Sequence, residues 1–439
     1  MRVTGLKLTN LRAIESAEFR FQPGLNLIVG VNGVGKSTVL DALRICMSRI
    51  LPSITKSRTK AMSFSADDIR SGFPFLDVGL LFEHNKQDFR FTRRQWNQSF
   101  VADDTQNIDR LKREILNSNR LRDRARNLLR ELDTSHGVAD TDNISPSHAA
   151  LKKSASESQV GPNCIYFSTN RSIASSAVAS KSKAAGEAAA AYAEALAPRP
   201  LYLAQFADWI RVQSALVSEH RTVARHVTVL QSAVRKFLPN YKDLRPDPES
   251  KSRLLIDHSG MTLDASHLSD GERGVLALVL DIARRLSQAN PSLADPLRDG
   301  EAIVLIDEID LHLHPKCQRT IVEHLTRVFP RCQFIATTHS PQIVAAVEPE
   351  QVQILTADEV LHPARSLGMD SNWILRHLME ADDRPAGAAL AIKTVETLIQ
   401  NASFKKARTA IAREKKRGLD LPEWSVLEAR MARLELLAK

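Results

Sequence analysis

Apolar and polar positions alternate along the first thirty residues of the chain, and this period of two predicts β-strands. The stretches MRVTGLKLT and SAEFRFQPG both alternate, and the second ends in a Pro-Gly turn. The short apolar run LNLIVG stops at a glycine, as buried strands often do, and KSTVLDALRICMSRIL has helical spacing. The first fifty residues therefore predict three strands followed by a helix.

The pattern is less regular farther along the chain. Residues 76–97 predict a β-hairpin that turns at residues 84–87, and residues 105–133 predict a strongly basic helix. Residues 134–160 lack periodicity, which indicates a loop or a mobile insertion. The alanine- and serine-rich stretch 173–197 is interpreted as a flexible surface element.

Short apolar runs in the second half of the chain predict further buried strands. They lie at residues 163–169, 251–257, 303–307 and 333–339. Helical patterns fill residues 202–236, separate the later strands and continue from about residue 372 to the end. Strands that alternate with helices predict an α/β fold with a parallel component.

Composition narrows the class of protein. The chain has 439 residues, 43% of them hydrophobic, which is enough for a sizeable core in two or three domains. No apolar run is long enough to span a bilayer and no signal peptide is evident, so we expect a cytoplasmic protein without membrane contact. The four cysteines show no metal-ligand spacing. The net charge of +9 fits either a nucleic-acid partner or a solvated basic surface.

The stretch GVNGVGKST matches the phosphate-binding pattern G-x-x-x-x-G-K-[ST] and lies between a predicted strand and a predicted helix. Glycines let backbone N–H groups curl around phosphate oxygens. Lys36 is expected to reach the β- and γ-phosphates, Ser37 to bind Mg²⁺ and Thr38 to face the α-phosphate. The other nucleotide-binding candidates of this loop are Gly30, Asn32, Gly33 and Gly35.

The stretch AIVLIDEIDLHLHP places two acidic residues at the end of an apolar strand. Asp307 is expected to hold Mg²⁺, directly or through water, and Glu308 to orient and deprotonate the attacking water. An acidic pair after a core strand is commonplace, and it is the phosphate loop upstream that makes catalysis the stronger interpretation.

Histidines near the acidic pair have two interpretations. His339, in IATTHSP, ends another apolar strand and could contact the γ-phosphate and sense its loss. A single histidine is more often structural, and its place after the acidic pair is what favours a catalytic role. His312 and His314 are interpreted as structural, because no third metal ligand follows at a suitable spacing.

The stretch HLSDGERG precedes the helical run VLALVLDIARRL and predicts a second anion-binding helix start. The order of phosphate loop, LSDGE, LIDE and histidine resembles the ATP-binding-cassette ATPases, in the branch of the chromosome-maintenance, RecF and OLD-type proteins. The opening Asn10-Leu11-Arg12 is similar to the Asn-Phe-Arg triplet that ends the first strand in that branch. The resemblance implies an ATPase head with a mixed sheet flanked by helices, which binds ATP and Mg²⁺, with Arg12 at the nucleotide.

In this superfamily the signature helix closes on the ATP of a second subunit, so the resemblance implies a homodimer or a higher homo-oligomer. Ser269 and Gly271 would then cap a γ-phosphate across the interface, with Glu272 in the same site. Asp310 matches the acidic residue that lies along that interface. Hydrolysis would remove the phosphate bridge, so that ATP would act as an assembly switch.

Some features of the branch are missing. A loop with a glutamine is expected, but residues 65–72 contain none, and Arg70 is the candidate in that region. The chain has no long heptad coiled coil, which excludes a long-armed chromosome clamp. No Asp-x-Asp follows His339, so the nuclease domain of OLD-type proteins is not expected and the chain is predicted not to cut nucleic acid itself.

Over nearly its full length the chain is similar to the ATPase subunit of Septu-type (PtuA-like) antiphage systems, including those attached to retrons. NCIYFSTNRS, QFIATTHSPQIV and the helical tail carry this similarity. That family pairs the ATPase with a separate HNH endonuclease, which the ATPase is implied to restrain until infection. The basic helix at residues 405–417 fits a solvated face or a site for an acidic partner, DNA or retron RNA equally well.

The resemblance also implies a domain organisation. Residues 1–100 and 251–365 would form the two parts of the ATPase lobe, residues 101–250 a mostly helical insertion, and residues 366–439 a helical partner-binding region. Two alternatives stay open: a RecF-like DNA-repair ATPase that acts as an ATP-dependent DNA-binding switch, and a structural ATP-dependent dimer with negligible turnover.

Overall fold

The structure is a computed structural model that describes residues 1–97, 141–158, 160–171, 188–216, 221–250, 253–357, 359–381 and 384–437. The basic helix predicted at residues 105–133 lies outside the described residues. The chain divides into two compact units, residues 1–371 and residues 372–439. Within the described ranges, no helix has the length and apolar character needed to cross a membrane.

The described residues contain the predicted strands and others that the sequence pattern did not indicate. They are β1 (Arg2–Leu11), β2 (Ile14–Arg20), β3 (Leu25–Val29), β4 (Phe75–His84), β5 (Gln87–Trp96), β6 (Thr141–Ser145), β7 (Asn163–Phe167), β8 (Tyr241–Pro246), β9 (Leu254–His258), β10 (Met261–Asp264), β11 (Ala302–Ile306), β12 (Gln333–Thr337), β13 (Val352–Leu355) and β14 (Val360–Leu361).

The helices of the described residues flank these strands and fill the tail. They are α1 (Lys36–Ile54), α2 (His148–Glu157), α3 (Leu203–Leu216), α4 (Arg221–Phe237), α5 (Asp270–Ala289), α6 (Pro296–Asp299), α7 (Pro315–Val328), α8 (Pro341–Val344), α9 (Ser371–Leu378), α10 (Ala386–Gln400), α11 (Phe404–Lys416) and α12 (Glu423–Leu437).

Six strands form a central sheet in the order β14-β13-β3-β12-β11-β7, and every neighbouring pair is parallel except β13 and β14. β3, β7, β11 and β12 are buried along their whole length, as expected of parallel strands covered on both faces. This arrangement confirms the predicted α/β fold. It also brings the carboxyl ends of β3, β11 and β12 to one edge of the sheet.

A second, antiparallel sheet has the order β2-β1-β4-β5-β6. The predicted hairpin joins β4 to β5, and its turn residues Asn85 and Lys86 adopt left-handed φ angles of 48° and 62°, as a tight hairpin turn requires. α1 packs against strands of both sheets, and one apolar cluster includes Leu6 of β1, Leu43 of α1 and Ile335 of β12. The helix after the phosphate loop is therefore fixed by the main core.

The prediction of a loop at residues 134–160 is wrong for its described part. β6 pairs with β5, and Ser147 caps α2 by accepting a hydrogen bond from a first-turn backbone N–H at 3.0 Å. The local sequence is polar because β6 lies at the edge of its sheet and α2 buries little more than Leu151 and Ser154. Pairing with distant strands supplied the order that local pattern lacks.

The prediction of a flexible surface element at residues 173–197 is wrong for residues 188–197, the part that is described. Ala191 is 0% exposed and Tyr192 is 3% exposed. The carbonyls of Ala191 and Ala193 accept hydrogen bonds from the Arg285 guanidinium of α5 at 2.6 and 3.0 Å. Small alanine side chains allow this close packing. Composition alone does not distinguish such a packed segment from a flexible, low-complexity one.

The predicted insertion at residues 101–250 also contributes strands to the sheets. β6 joins the antiparallel sheet and β7 pairs with β11 at the edge of the central sheet. β8, β9 and β10 form a separate small antiparallel sheet. The insertion predicted as mostly helical at residues 101–250 therefore also contains β6, β7 and β8, while β9 and β10 follow it in the chain.

The second unit confirms the predicted helical tail. α10, α11 and α12 pack around Trp424 and Met431, which are 1% and 0% exposed. On the basic helix α11, Arg408 pairs with Glu435 at 2.6 Å and Lys415 with Glu428 at 3.3 Å. Part of its positive charge is thus balanced by α12.

Candidate nucleotide site at the strand ends

The predicted phosphate loop connects β3 to α1. Gly35 is the N-cap of α1 and has a φ of 113°, which side chains other than glycine rarely adopt. Asn32 and Gly33, at the tip, are exposed, and Ser37 in the first turn of α1 is exposed as well. Thr38 is buried. The loop therefore offers its backbone and the start of a helix to solvent, the arrangement that binds phosphate.

The Lys36 side chain folds back into this loop. Its ammonium group donates hydrogen bonds to the carbonyls of Gly30 and Val31 at 2.8 and 3.0 Å. Burial lowers the pKa of Lys36, and three nearby acidic side chains oppose that shift, namely Asp307, Glu308 and Asp310. The lysine and the acids thus share one electrostatic environment despite their separation in the sequence.

Ser37 and Asp307, the two predicted metal ligands, are in contact. Ser37 Oγ donates to Asp307 Oδ1 at 3.2 Å, and Thr337 Oγ1 donates to the same oxygen at 2.6 Å. Hydroxyl and carboxylate oxygens suit Mg²⁺, which phosphate-loop proteins hold through one such pair together with phosphate oxygens. In the part of the chain that the structure describes, no group of three or more acidic, histidine or cysteine side chains could hold a metal. The residues present therefore fit Mg²⁺ that arrives with a nucleotide.

Glu308 follows Asp307 with a left-handed φ of 49°, which is uncommon for a residue other than glycine. The N–H of Glu308 donates to Thr337 Oγ1 at 2.7 Å, and the N–H of Ile309 donates to the Thr337 carbonyl at 2.9 Å. Thr337 thereby ties the acidic pair to the end of β12. The sequence analysis did not include Thr337 in the site. The signal that could have indicated it is a polar residue at the end of an apolar strand.

Arg171 is the second residue that sequence reasoning missed. It ends the short helix Thr169–Arg171 after β7, and its buried guanidinium donates to the carbonyls of Asp307 and Glu308. Burial lowers the pKa of Arg171 to about 10, while Asp307, Asp310 and Glu308 oppose the shift. Arg171 belongs to the stretch NCIYFSTNRS, which carries the family similarity, but the sequence analysis gave this arginine no role.

Asp310 fixes the loop that carries His339. Its Oδ1 accepts hydrogen bonds from Thr338 Oγ1 at 2.6 Å and from the His339 N–H at 3.2 Å. The His339 ring is partly exposed and makes no hydrogen bond to any residue that the structure describes. Asp310 therefore has a role within its own chain, and the His339 ring is free to meet a ligand.

Arg12 lies beside α1. Its guanidinium donates to Asp68 at 2.7 Å and to Asp41 of α1 at 2.9 Å, and its side chain is 40% exposed. Arg70, the candidate for the missing glutamine, donates to the Ala13 carbonyl at 2.6 Å. Contact of Arg12 with a nucleotide stays a prediction.

The predicted second anion-binding helix start is the beginning of α5. Ser269 is the N-cap, and its Oγ accepts a hydrogen bond from the Glu272 N–H at 3.4 Å. In return Glu272 Oε2 accepts from the Ser269 N–H at 3.1 Å, which completes a capping box. Glu272 Oε1 accepts from the Tyr241 hydroxyl at 2.7 Å. Both side chains thus shape the helix start within one chain.

Gly271 packs the start of α5 directly on the loop after β11. A Cβ atom at position 271 would lie 2.5 Å from the His312 carbonyl oxygen, too close for any other residue without a shift. Across the described residues, no hydrogen bond or ion pair joins residues 267–274 to the phosphate loop of the same chain. The structure does not bring the two predicted anion-binding elements together within one chain.

The body of α5 is anchored by a buried ion cluster. Asp281 is 0% exposed and accepts hydrogen bonds from Arg199 and Arg284 at 2.6 Å each and from Arg285 at 2.9 Å. Burial alone would raise the pKa of Asp281, but the three guanidinium groups hold it well below its usual value. The body of the helix is therefore fixed, while Ser269 and Asp270 at its start are exposed.

Comparison with known proteins defines the class. Residues 25–345 match a family described as "AAA domain, putative AbiEii toxin, Type IV TA system", and the chain belongs to this family.

Among individual proteins, the "Retron Ec83 probable ATPase" of Escherichia coli is 25% identical over 425 residues, which cover 88% of this chain and 77% of the relative. The Septu protein PtuA of Bacillus thuringiensis is 22% identical over 358 residues, or 81% of this chain and 76% of the relative. The "Retron Vc95 probable ATPase" of Vibrio cholerae serotype O1 biovar El Tor is 44% identical over 131 residues, 30% of this chain and 25% of the relative. These relatives confirm the resemblance to retron and Septu ATPases.

Solved structures are more distant. The SMC head domain from Thermotoga maritima aligns with a TM-score of 0.44 and 15% identity, covering 83% of this chain and 100% of that one. The recombination mediator protein RecF aligns with a TM-score of 0.40 and 11% identity, covering 83% and 98%.

Proposed function

We propose that this chain binds ATP with Mg²⁺ at the carboxyl ends of β3 and β11 and hydrolyses it. The observation that carries the proposal is the contact of Ser37 Oγ with Asp307 Oδ1 beside the buried Lys36, with Glu308 next in the chain. Bound Mg²⁺ would neutralise negative charge on the phosphate oxygens. Lys36 exchanges its loop carbonyls for the β- and γ-phosphates, Ser37 and Asp307 hold the metal, and Glu308 accepts a proton from the attacking water.

The proposed working form contains at least two copies of the chain. Ser269 and Asp270 at the start of α5 are exposed, and the rest of the first turn is partly exposed. The turn has backbone N–H groups without a helical carbonyl partner, as every helix start does, and among the described residues it has no bond to its own phosphate loop. In the proposed assembly Ser269 and Gly271 of one copy cap the γ-phosphate held by its partner. Asp310 lies along the interface, and His339 senses the loss of the phosphate.

The biological role is proposed from the relatives. Similarity to a retron ATPase over 88% of the chain and to PtuA over 81% supports a regulatory subunit of an antiphage system. In this role the ATPase restrains a separate HNH endonuclease until infection, and the helical tail α10–α12 is the proposed contact surface. The net charge of +9 of the whole chain also suits contact with DNA or retron RNA.

A complementation experiment tests the shared pocket. Lys36→Ala removes the phosphate loop of one pocket, and Ser269→Arg blocks the α5 start of the other, so each variant alone is expected to lose hydrolysis. When the two are mixed, one pocket of each mixed dimer has both halves intact, and turnover is expected to return with a maximum near equal amounts. Lys36→Ala mixed with Glu308→Gln is the matched control, because these changes fall on the same half and restore nothing. Two folded variants that never restore turnover would contradict the shared pocket.

Co-purification with neighbouring gene products, with and without ATP, tests the partner. Recovery of an HNH protein whose binding depends on ATP is the expected result. ATP-dependent binding of duplex or gapped DNA by the chain alone, with no toxic partner, would support the RecF-like alternative instead.

A further inference from the structure

Arg171 follows β7, which lies beside β11 on the side opposite β12, and from there its side chain reaches the acidic pair. β7 pairs with β11 in parallel, with Phe167 opposite Ile306, and the Asp307 N–H donates to the Phe167 carbonyl at 2.8 Å. The chain then turns through the short helix that Arg171 ends. Its side chain returns to the backbone just beyond β11.

The Arg171 guanidinium holds consecutive carbonyls of the acidic pair. Nη1 donates to the Asp307 carbonyl, and Nη2 donates to the Glu308 carbonyl at 2.6 Å. Nη1 also donates to the Ser168 carbonyl at 3.2 Å, which anchors the side chain in its own turn. A guanidinium presents its donors in a rigid planar fork, whereas a lysine ammonium is a compact charge on a flexible stem and does not impose that fixed geometry.

The backbone that Arg171 holds is strained. Glu308 has a φ of 49°, and a non-glycine residue in that region costs about 1–3 kcal/mol, so its surroundings must impose it. Thr337 binds the Glu308 N–H from β12, and Arg171 binds the Glu308 carbonyl from β7. The conformation is thus fixed from both neighbouring strands.

The charge of Arg171 is unusual for a structural residue. Its side chain is 6% exposed, and within the described residues all its hydrogen bonds go to carbonyls, with no carboxylate within ion-pair distance. Buried charges are normally paired directly. Here the positive charge of Arg171 is balanced through space by the negative charges of Asp307, Asp310 and Glu308. A buried cation is therefore kept beside the acids without neutralising any of them by direct contact.

We infer that Arg171 is a positioning residue of the ATPase site, which holds the Asp307–Glu308 backbone so that the Glu308 carboxylate is aimed at the attacking water. It acts through Glu308 and does not touch ATP. This inference rests on the proposed hydrolysis by Glu308. Because a misplacement of about 1 Å can cost about 100-fold in rate, loss of the fork lowers kcat and leaves ATP affinity nearly unchanged.

The test uses the full chain with Arg171→Lys, which keeps the charge but loses the fork, and Arg171→Met, which loses both. We expect kcat to fall about 10- to 100-fold in both variants, with the ATP dissociation constant within about two-fold of wild type. Arg93→Met is the matched control, because Arg93 is also buried but lies on β5, outside the site. There its guanidinium donates to Asp142 Oδ1 at 3.2 Å. This control is expected to keep kcat.

A double variant separates positioning from general loss of structure. In single-turnover measurements, Arg171→Lys is expected to add little to the defect of Glu308→Gln, because both act on one step. An unchanged kcat in Arg171→Lys, a loss of ATP affinity as large as the loss of kcat, or fully additive defects would each overturn the inference. Equal, slow hydrolysis by wild type and Glu308→Gln would instead overturn the proposed function and this inference with it.

Discussion

The strand-end site, formed by the phosphate loop and the acidic pair Asp307–Glu308, and the start of α5 are both predicted to meet anions, but they are held in different ways. In this site, side chains from α1, the short helix after β7 and β12 converge on the acidic pair: Ser37, Arg171 and Thr337 all contact Asp307 or Glu308. At the start of α5, Ser269 and Glu272 bind each other. The strand-end site is therefore held by side chains from several elements, whereas the capping of the helix start is local, with Tyr241 and the loop after β11 as its further contacts.

This difference indicates that the two regions have different roles. A site locked by three elements can aim a general base, because each group is fixed by the others. A locally capped helix start can meet a ligand that comes from outside its own chain. Changes in the strand-end site should therefore alter chemistry, and changes at the helix start should alter assembly.

The largest expected effect belongs to Glu308→Gln. Loss of a general base lowers kcat by about 100- to 10,000-fold, while ATP affinity stays the same because the change leaves the phosphate contacts intact. Steady-state hydrolysis and binding of a fluorescent ATP analogue measure the two quantities. Glu323→Gln, on the exposed face of α7, is the control and should hydrolyse ATP normally. A small effect on kcat would remove Glu308 from the mechanism.

Asp281→Asn tests how firmly the body of α5 is anchored. Breaking a buried ion cluster costs about 3–5 kcal/mol of unfolding free energy, because buried Arg285 loses its partner. Urea unfolding measures the loss, with Asp270→Asn as the exposed control on the same helix.

The difference in unfolding free energy between wild type and Asp281→Asn depends on pH in a definite direction. The folded-state pKa of Asp281 lies below its unfolded value, so its contribution is complete above the unfolded pKa of about 3.9 and is lost as pH falls through the folded pKa. The gap between wild type and Asp281→Asn should be equal at pH 6 and pH 8 and should shrink below about pH 4. A gap that changes between pH 6 and pH 8 would contradict this account.

Lys36→Ala tests the strand-end site at its phosphate end. Loss of a charged hydrogen bond costs about 1.5–3 kcal/mol, so ATP affinity should fall roughly 10- to 100-fold. Titration of the ATP analogue measures it. Lys316→Ala, an exposed lysine at the start of α7, should bind as wild type does. Unchanged affinity in Lys36→Ala would mean that the loop binds no phosphate.

The smallest effect separates capping from function at the start of α5. Ser269→Ala and Ser147→Ala each remove a helix N-cap and should each cost about 1 kcal/mol of unfolding free energy. Only Ser269→Ala is expected to lower ATP turnover further, and most strongly at low protein concentration, where assembly limits the rate. Equal turnover in the two variants would assign Ser269 to capping alone.

The sequence by itself determined the phosphate loop, the acidic pair and the start of α5. Each depends on chemistry that is local in the chain: glycines where the backbone curls, acids at the end of an apolar strand, and a Ser-x-x-Glu capping box. Such constraints leave a pattern of residue types at short spacing, so Lys36, Ser37 and Asp307 could be assigned before their contact was known.

Only the tertiary structure decided how these pieces are held. Arg171 binds carbonyls, which every residue carries, so nothing in the sequence around Asp307 and Glu308 names its donor. The same reason hid the alanine carbonyls that receive Arg285, while Thr337 was missed because its hydroxyl binds residues that are distant in the sequence. Edge strand β6 and helix α2 escaped prediction because contacts with distant residues, and not their own apolar pattern, make them stable: β6 pairs with β5, and α2 packs against α1 and β4.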